Sequence, residues 1–294
     1  MKNILAIFIF AFALSFGHEV NFDRFYDENI TNEEVDRELD KLLAALDENP
    51  NLINKETNEY NERIFSFFII NSKVGNTGKF DFERIEKVLK FKPDLNYNMY
   101  KIDNSSPLHM SMVLGLDIDG GQWLKENEAL KLIKILVKNG ADINSKELLS
   151  TACSFNKFKL FKYLLDNGAR DTTGILFSLA MDISGFVGNS GLSIHKNKLD
   201  NSKEREFVKT DKFKNFYEGR IKFLEEALKF IKLSEFNPKE IEAFIIINSI
   251  LDNDKVIEIL LKHGLCELEN SCKFLKEQAK NYDSKEILNL LKTN

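Results

Sequence analysis

Asp117, Asp119 and Glu128 carry carboxylates that could bind a calcium ion. They have the spacing of positions one, three and twelve of a calcium-binding loop. Gly121 and Gln122 interrupt that pattern. We therefore expect no metal site in this stretch.

Ser190, Ser193 and His195 are the residues that come nearest to a hydrolytic site. Gly188-Asn-Ser190-Gly191 differs from the Gly-x-Ser-x-Gly turn of the nucleophile elbow, because Leu192 stands where the last glycine belongs. No nucleophile with a matching base emerges elsewhere in the chain. The sequence predicts a protein that is not an enzyme, with a hydrolase whose active site lies in inserted loops as a remote alternative.

The three cysteines are Cys153, Cys266 and Cys272, and their spacing fits no zinc-binding pattern. The four histidines are scattered along the chain: His18, His109, His195 and His263. Cys266 and Cys272 flank a predicted turn, so they are candidates for a disulfide bond that closes a small loop. Cys153 is expected to be a packed thiol. We expect no metal and no cofactor.

The composition indicates the kind of elements that position these residues. Only 4 prolines and as many as 25 phenylalanines predict an all-α chain with a bulky apolar interior. A net charge of -5 argues against nucleic acid as a partner, because nucleic acid requires a basic face.

Residues 1–17 have the pattern of a secretory signal peptide. A lysine precedes a short apolar run, and small residues follow it. An uncleaved membrane anchor is the alternative, but the run is shorter than the ~20 residues that span a bilayer. Export would place the protein in an oxidising compartment. The abundance of Lys, Asn, Ile and Phe suggests an AT-rich bacterial genome, so we expect a periplasmic or secreted protein with no membrane span after cleavage.

A helix ending recurs along the chain. Lys138-Asn-Gly-Ala-Asp-Ile-Asn144 and Asp166-Asn-Gly-Ala-Arg-Asp171 both place Gly after an apolar, helix-like run. Gly supplies the left-handed backbone that many helix ends require, and Pro cannot continue a helix. Related endings occur at 48–54, 85–96 and 260–265. These endings predict one set of helices, which we call the outer helices, and 33–46, 216–234 and 284–291 belong to this set.

Inner helices are predicted to precede the outer ones. We place them near 60–73, 106–114, 146–155, 174–183, 239–251 and 270–281. Ile69-Ile-Asn-Ser72 and Ile246-Ile-Asn-Ser249 give one direct internal match. One helix pair cannot bury its own apolar face, so we expect the pairs to be stabilised by stacking.

Ser106-Pro-Leu-His109 resembles the Thr-Pro-Leu-His segment of ankyrin repeats, and the resemblance extends over about residues 36–291. It implies an ankyrin-type helical-repeat solenoid over 18–294, with about six to seven repeats. Three inserted loops interrupt the repeats, at 74–81, 116–127 and 185–215. The composition of the long insertion 185–215 predicts a mobile, mildly cationic loop.

The resemblance also implies binding of a partner protein at the concave face of the inner helices, by a chain that is expected to be a monomer. Apolar residues dominate the positions that would face solvent there: Val113, Leu114, Phe155, Ile183, Ile250 and Leu251. We expect them to form an apolar groove. The alternative is that insertions or tilted helices cover them. Trp123, in the second insertion, is either an interface anchor or a lid residue folded over the solenoid.

These features together predict a non-catalytic, protein-binding scaffold of the bacterial periplasm. The alternative is a secreted effector, or an immunity or inhibitor-type protein that sequesters a toxin or an enzyme.

Overall fold

The computed structural model describes residues 22–27, 29–58, 62–74, 79–99, 106–114, 124–194 and 200–293. Within these ranges the fold is built from 14 α-helices, several short 3-10 turns and one hairpin of two-residue strands. The prediction of an all-α protein is therefore confirmed. The predicted signal peptide lies outside the described residues. Trp123, Asp117, Asp119 and His195 also lie outside them.

The chain divides into two compact units, with the boundary between Ser145 and Lys146. The prediction that residues 18–294 form a single ankyrin-like solenoid stays a prediction.

The first unit contains five helices. They are α1 (Asn32–Glu48), α2 (Ile64–Asn71), α3 (Phe82–Leu89), α4 (Pro107–Val113) and α5 (Glu126–Lys138). Helix α2 packs against α1, α3 and α4, and α4 packs against α5. The strands β1 (Lys73–Val74) and β2 (Lys79–Phe80) pair antiparallel between α2 and α3, and all but Lys73 lie in the predicted insertion 74–81.

Two asparagines of the first unit bind the backbone of the next turn along the chain. The Asn54 side chain accepts a hydrogen bond from the Asp94 amide at 2.7 Å and donates one to the Lys92 carbonyl at 3.4 Å. The Asn96 side chain likewise accepts from the Asp142 amide at 2.7 Å and donates to the Gly140 carbonyl at 3.1 Å. Both side chains therefore use their donor and their acceptor on two backbone groups two residues apart.

The second unit contains nine helices. They are α6 (Leu148–Ser154), α7 (Phe158–Asp166), α8 (Ile175–Gly188), α9 (Ser202–Val208), α10 (Asp211–Ala227), α11 (Pro238–Leu251), α12 (Asp254–Lys262), α13 (Ser271–Asn281) and α14 (Lys285–Thr293). Helices α6, α8, α11 and α13 pack one against the next. Helix α7 packs against α6 and α10, and α14 packs against α12 and α13.

Helices α7 and α12 resemble each other in length and in the pattern of their buried residues. Both have 9 residues, and each buries an apolar stripe at helical spacing. The stripe of α7 is Leu160, Phe161, Leu164 and Leu165, and that of α12 is Val256, Ile257 and Leu260.

Left-handed residues stop the helices at matching places. Asn156, Asp252 and Asp283 follow α6, α11 and α13 with φ of 53°, 52° and 52°. In each case the amide of the left-handed residue donates to the carbonyl three residues before it. The amide of the following residue donates to the carbonyl five residues before that residue. This pair of bonds is the Schellman arrangement, which satisfies the carbonyls left open at a helix end.

Helices α5 and α7 end in the same way at Gly140 and Gly168, with φ of 98° and 99°. The prediction of a left-handed backbone at these two glycines is confirmed.

The predicted loop at 185–215 was wrong in three places, because parts of α8, α9 and α10 lie within it. Helix α8 continues to Gly188, and α9 lies inside the insertion, at Ser202–Val208. Helix α10 begins at Asp211, where the Thr210 hydroxyl accepts a hydrogen bond from the Phe213 amide. Its predicted range of 216–234 is therefore moved towards the N-terminus.

Candidate protein-binding surface

Three residues predicted to line the apolar groove are buried. Ile183, Ile250 and Leu251 each expose only 1% of their surface. Their assignment to an exposed face was wrong, and they belong to the core of the second unit.

Two features of the predicted insertion bear on these positions. Helix α8 continues past Ile183 to Gly188, so this residue lies within the helix and not in its last turn. Helix α9 packs against α11, and its Arg205 donates a hydrogen bond to the Ile250 carbonyl at 3.1 Å. The structure thus agrees with the alternative in which inserted segments cover part of the inner-helix surface.

The remaining predicted residues differ in their exposure. Phe155 is exposed, whereas Val113 and Leu114 are half-buried. Phe155 follows the last residue of α6, next to Ser154. The exposed site must therefore be sought around the end of α6.

An apolar patch lies at this position in the second unit. Phe155, Phe177 and Met181 expose 39%, 54% and 56% of their surfaces. The Ser154 and Ser178 hydroxyls, which stand next to Phe155 and Phe177, lie 2.8 Å apart and join α6 to α8. Met181 is one helical turn beyond Phe177 on the same side of α8. We call these three residues the exposed patch.

The buried stripe of α8 explains why Phe177 and Met181 face outward. Ile175, Leu176, Leu179, Ala180, Ile183 and Val187 are all buried. Residues 177 and 181 fall between these positions on the helix, so they turn away from the core. Exposure of two large apolar side chains follows from the fixed orientation of α8.

Glu240 of α11 helps to hold α8 in this orientation. Its carboxylate accepts hydrogen bonds from the amides of Gly174 at 2.8 Å and Phe177 at 3.4 Å. Carboxylates are favoured at a helix N-terminus, where free amides and the helix dipole are both positive. The backbone that carries Phe177 is therefore fixed by a neighbouring helix.

A buried arginine lies beside the patch. Arg220 of α10 is 5% exposed and forms an ion pair with Asp182 of α8. It also donates to the Cys153 carbonyl at 2.8 Å and to the Asn156 side chain at 3.2 Å. Burial raises the pKa of Asp182, and the Arg220 charge opposes that shift. Through these contacts one buried side chain connects α6, α8 and α10, and two of these helices carry the patch residues.

None of the three cysteines offers a reactive thiolate. Cys153 is a free, buried thiol, and burial raises its pKa to about 12. A thiol in this state is a poor nucleophile, because the thiolate is the reactive form. Cys266 and Cys272 form a disulfide, with Cα atoms 4.7 Å apart.

Within the described ranges, no group of three or more His, Cys, Asp or Glu side chains is arranged to hold a metal ion. In the same part of the chain, no helix combines the length and the apolarity needed to cross a membrane.

Phe177 and Met181 were missed by the sequence reasoning. A signal was present, since both residues fall outside the stripe that the other apolar residues of α8 form at helical spacing. It was hidden because α8 is apolar on nearly every side.

No family model matches this chain, and neither a curated protein nor a solved structure does.

Proposed function

We propose that this chain is a non-catalytic helical-repeat scaffold that binds another protein, with the exposed patch as part of the docking surface. The observation that carries the proposal is the outward position of Phe155, Phe177 and Met181 on adjacent helices. Large apolar side chains grouped on a surface are typical of protein interaction sites.

Support for a repeat architecture of the ankyrin type comes from the second unit. Helices α7 and α12 have equal length, and each lies between a left-handed Asn or Asp and a left-handed glycine: Asn156 and Gly168 for α7, Asp252 and Gly264 for α12. The inner-type helices α6, α8, α11 and α13 follow one another in contact. Such rows present a continuous surface to a partner.

We also propose that the protein acts outside the bacterial cytoplasm, in the periplasm or beyond it. The disulfide between Cys266 and Cys272 supports this placement, because disulfides persist in oxidising compartments. The signal-like pattern of residues 1–17 points in the same direction.

Affinity capture from a periplasmic extract, followed by mass spectrometry, tests the proposal. We expect the wild-type chain to retain a defined protein, and the double variant Phe177→Glu, Met181→Glu to lose it by at least about tenfold. Charges on a desolvated apolar contact typically remove several kcal/mol of binding free energy.

Phe230→Glu is the matched control, because Phe230 is also exposed in the second unit but stands apart from α6 and α8 in the cleft between the ends of α10 and α12. It should keep the captured protein. Equal yields from the patch variant and the wild type, with unchanged circular dichroism, would refute the proposed surface.

A further inference from the structure

A short aromatic segment covers helix α2 in the first unit. Phe22–Tyr26 forms a single 3-10 turn, which we call the aromatic strap. Phe22, Phe25 and Tyr26 surround the ring of Phe67, with ring centroids 5.1, 5.0 and 6.2 Å from it. Phe67 is only 3% exposed, so the strap contributes to its burial.

The strap itself is weakly buried. None of its five residues is buried, and Tyr26 is 54% exposed. Helix α2, by contrast, buries six consecutive residues, Ile64 to Ile69. The strap is therefore the less buried side of its contact with α2. Segments with few buried contacts open at a much lower free-energy cost than the core does.

Polar contacts fix the strap in one register. The Tyr26 hydroxyl donates a hydrogen bond to the buried carboxylate of Glu62, which also accepts one from the Asn58 amide. Arg24 pairs with Glu34 at 2.6 Å and with Asp27 at 3.2 Å. The strap thus packs on the Phe67 ring of α2 and bonds two carboxylates beside it, those of Glu62, just before α2, and Glu34 of α1.

We propose that the aromatic strap is a displaceable cover, and that the α2 surface beneath it binds a short segment of a partner protein with the same chemistry. That segment carries two aromatic residues three or four positions apart, on one side of a helical turn. It also carries a hydroxyl or cationic donor for Glu62 or Glu34. The seated strap shows which chemistry the surface accepts, and the carboxylates select a donor or a cation. This inference concerns the first unit and does not rest on the exposed patch.

A competing segment must displace the strap, so a docked strap lowers the apparent affinity by the fraction of molecules in which the surface is free. The probe is a synthetic peptide, Phe-Asp-Arg-Phe-Tyr-Asp, which reproduces residues 22–27. It is titrated into the full-length chain while the amide resonances of α2 are followed by NMR. We expect saturable shifts in the double variant Phe22→Ser, Phe25→Ser, and about tenfold or more weaker binding to the wild type.

A peptide with both phenylalanines replaced by serine is the control and should leave the resonances unchanged. Equal affinity for wild type and variant, or no shift in a variant with native circular dichroism, would overturn the proposal. Hydrogen exchange of the strap amides in the wild-type chain supplies a measurement that does not need the variant. The native peptide should accelerate that exchange, and an unchanged rate at saturating peptide would also overturn the proposal.

Discussion

At the scale of single residues, backbone handedness sets the helix ends. Gly168 has φ of 99° at the end of α7, and a Cβ added there would meet no atom within 4 Å. Gly185 also has open space around it, but it lies inside α8 without a positive φ. The two glycines therefore separate the cost of a left-handed backbone from the cost of steric crowding.

Gly168→Ala should lower the free energy of unfolding by about 1–2 kcal/mol, because an L-residue is strained in the left-handed region. Gly185→Ala should raise it by about 0.5–1 kcal/mol, because Ala is the better residue inside a helix. Urea unfolding followed by circular dichroism measures both changes. A Gly168→Ala variant as stable as the wild type would show that the helix does not end in this conformation.

Residue identity alone predicted some helix ends and missed the burial of several predicted site residues. Gly140 and Gly168 could be assigned from sequence, because glycine after an amphipathic run has one common role. The burial of Ile250 and Leu251 could not be assigned, because α11 packs against α8, α9 and α13, and α9 lies more than forty positions earlier in the chain. Local patterns do not record which distant segment covers a helix end.

At the scale of elements, the inserted helix α9 bonds its neighbouring helices through the side chain of Arg205. Arg205 donates to the carbonyls of Ile250 at 3.1 Å and Asp283 at 3.0 Å, and to that of Tyr282. These carbonyls lie at the C-terminal ends of α11 and α13, where a positive charge is favoured by the helix dipole. The insertion thus joins the ends of two helices that are neighbours in the row.

Arg205→Ala should destabilise the second unit by about 1.5–3 kcal/mol, since it removes hydrogen bonds from a charged donor. Amide hydrogen exchange should then become faster in the last turns of α11 and α13. Lys209→Ala is the control, because Lys209 is an exposed residue just after α9 that pairs with Glu206. Protection factors in α11 and α13 that are equal in both variants would contradict this role.

The sequence predicted most helices within a few residues and failed at the insertion. Gly185 and Gly188 favour a loop by themselves, since each glycine in a helix costs about 1 kcal/mol relative to alanine. Helix α8 continues through them because Ile183 and Val187 are buried on its inner side. Burial of these side chains offsets the glycine cost, and this compensation is visible only once the neighbouring helices are known.

At the scale of the whole molecule, each compact unit has its own apolar core. Phe65 and Phe68 are fully buried in the first unit, and Phe161, Phe223 and Phe244 in the second. The sequence gives no sign of the division, since Ser145 and Lys146 lie in a stretch without a proline or glycine run. The unit boundary follows from contacts rather than from composition.

Residues 22–145 and 146–293, produced as separate fragments, should each fold with helical circular dichroism and a cooperative thermal transition. The physical reason is that helix pairs in such rows are stabilised chiefly by their nearest neighbours. Differential scanning calorimetry on both fragments provides the measurement. Fragments that gain helix only when mixed would show that neither unit is independently stable.

The asparagine contacts of the first unit have a consequence for how such a chain tolerates mutational drift. Asn54 and Asn96 bind only an amide and a carbonyl of the following turn, so they are indifferent to most side chains found there. Lys92-Pro-Asp94 and Gly140-Ala-Asp142 are held in this same manner although they share a single letter. Turns that are held through main-chain atoms can lose most of their sequence similarity to one another, and to ancestral sequences. Their backbone conformation is still retained.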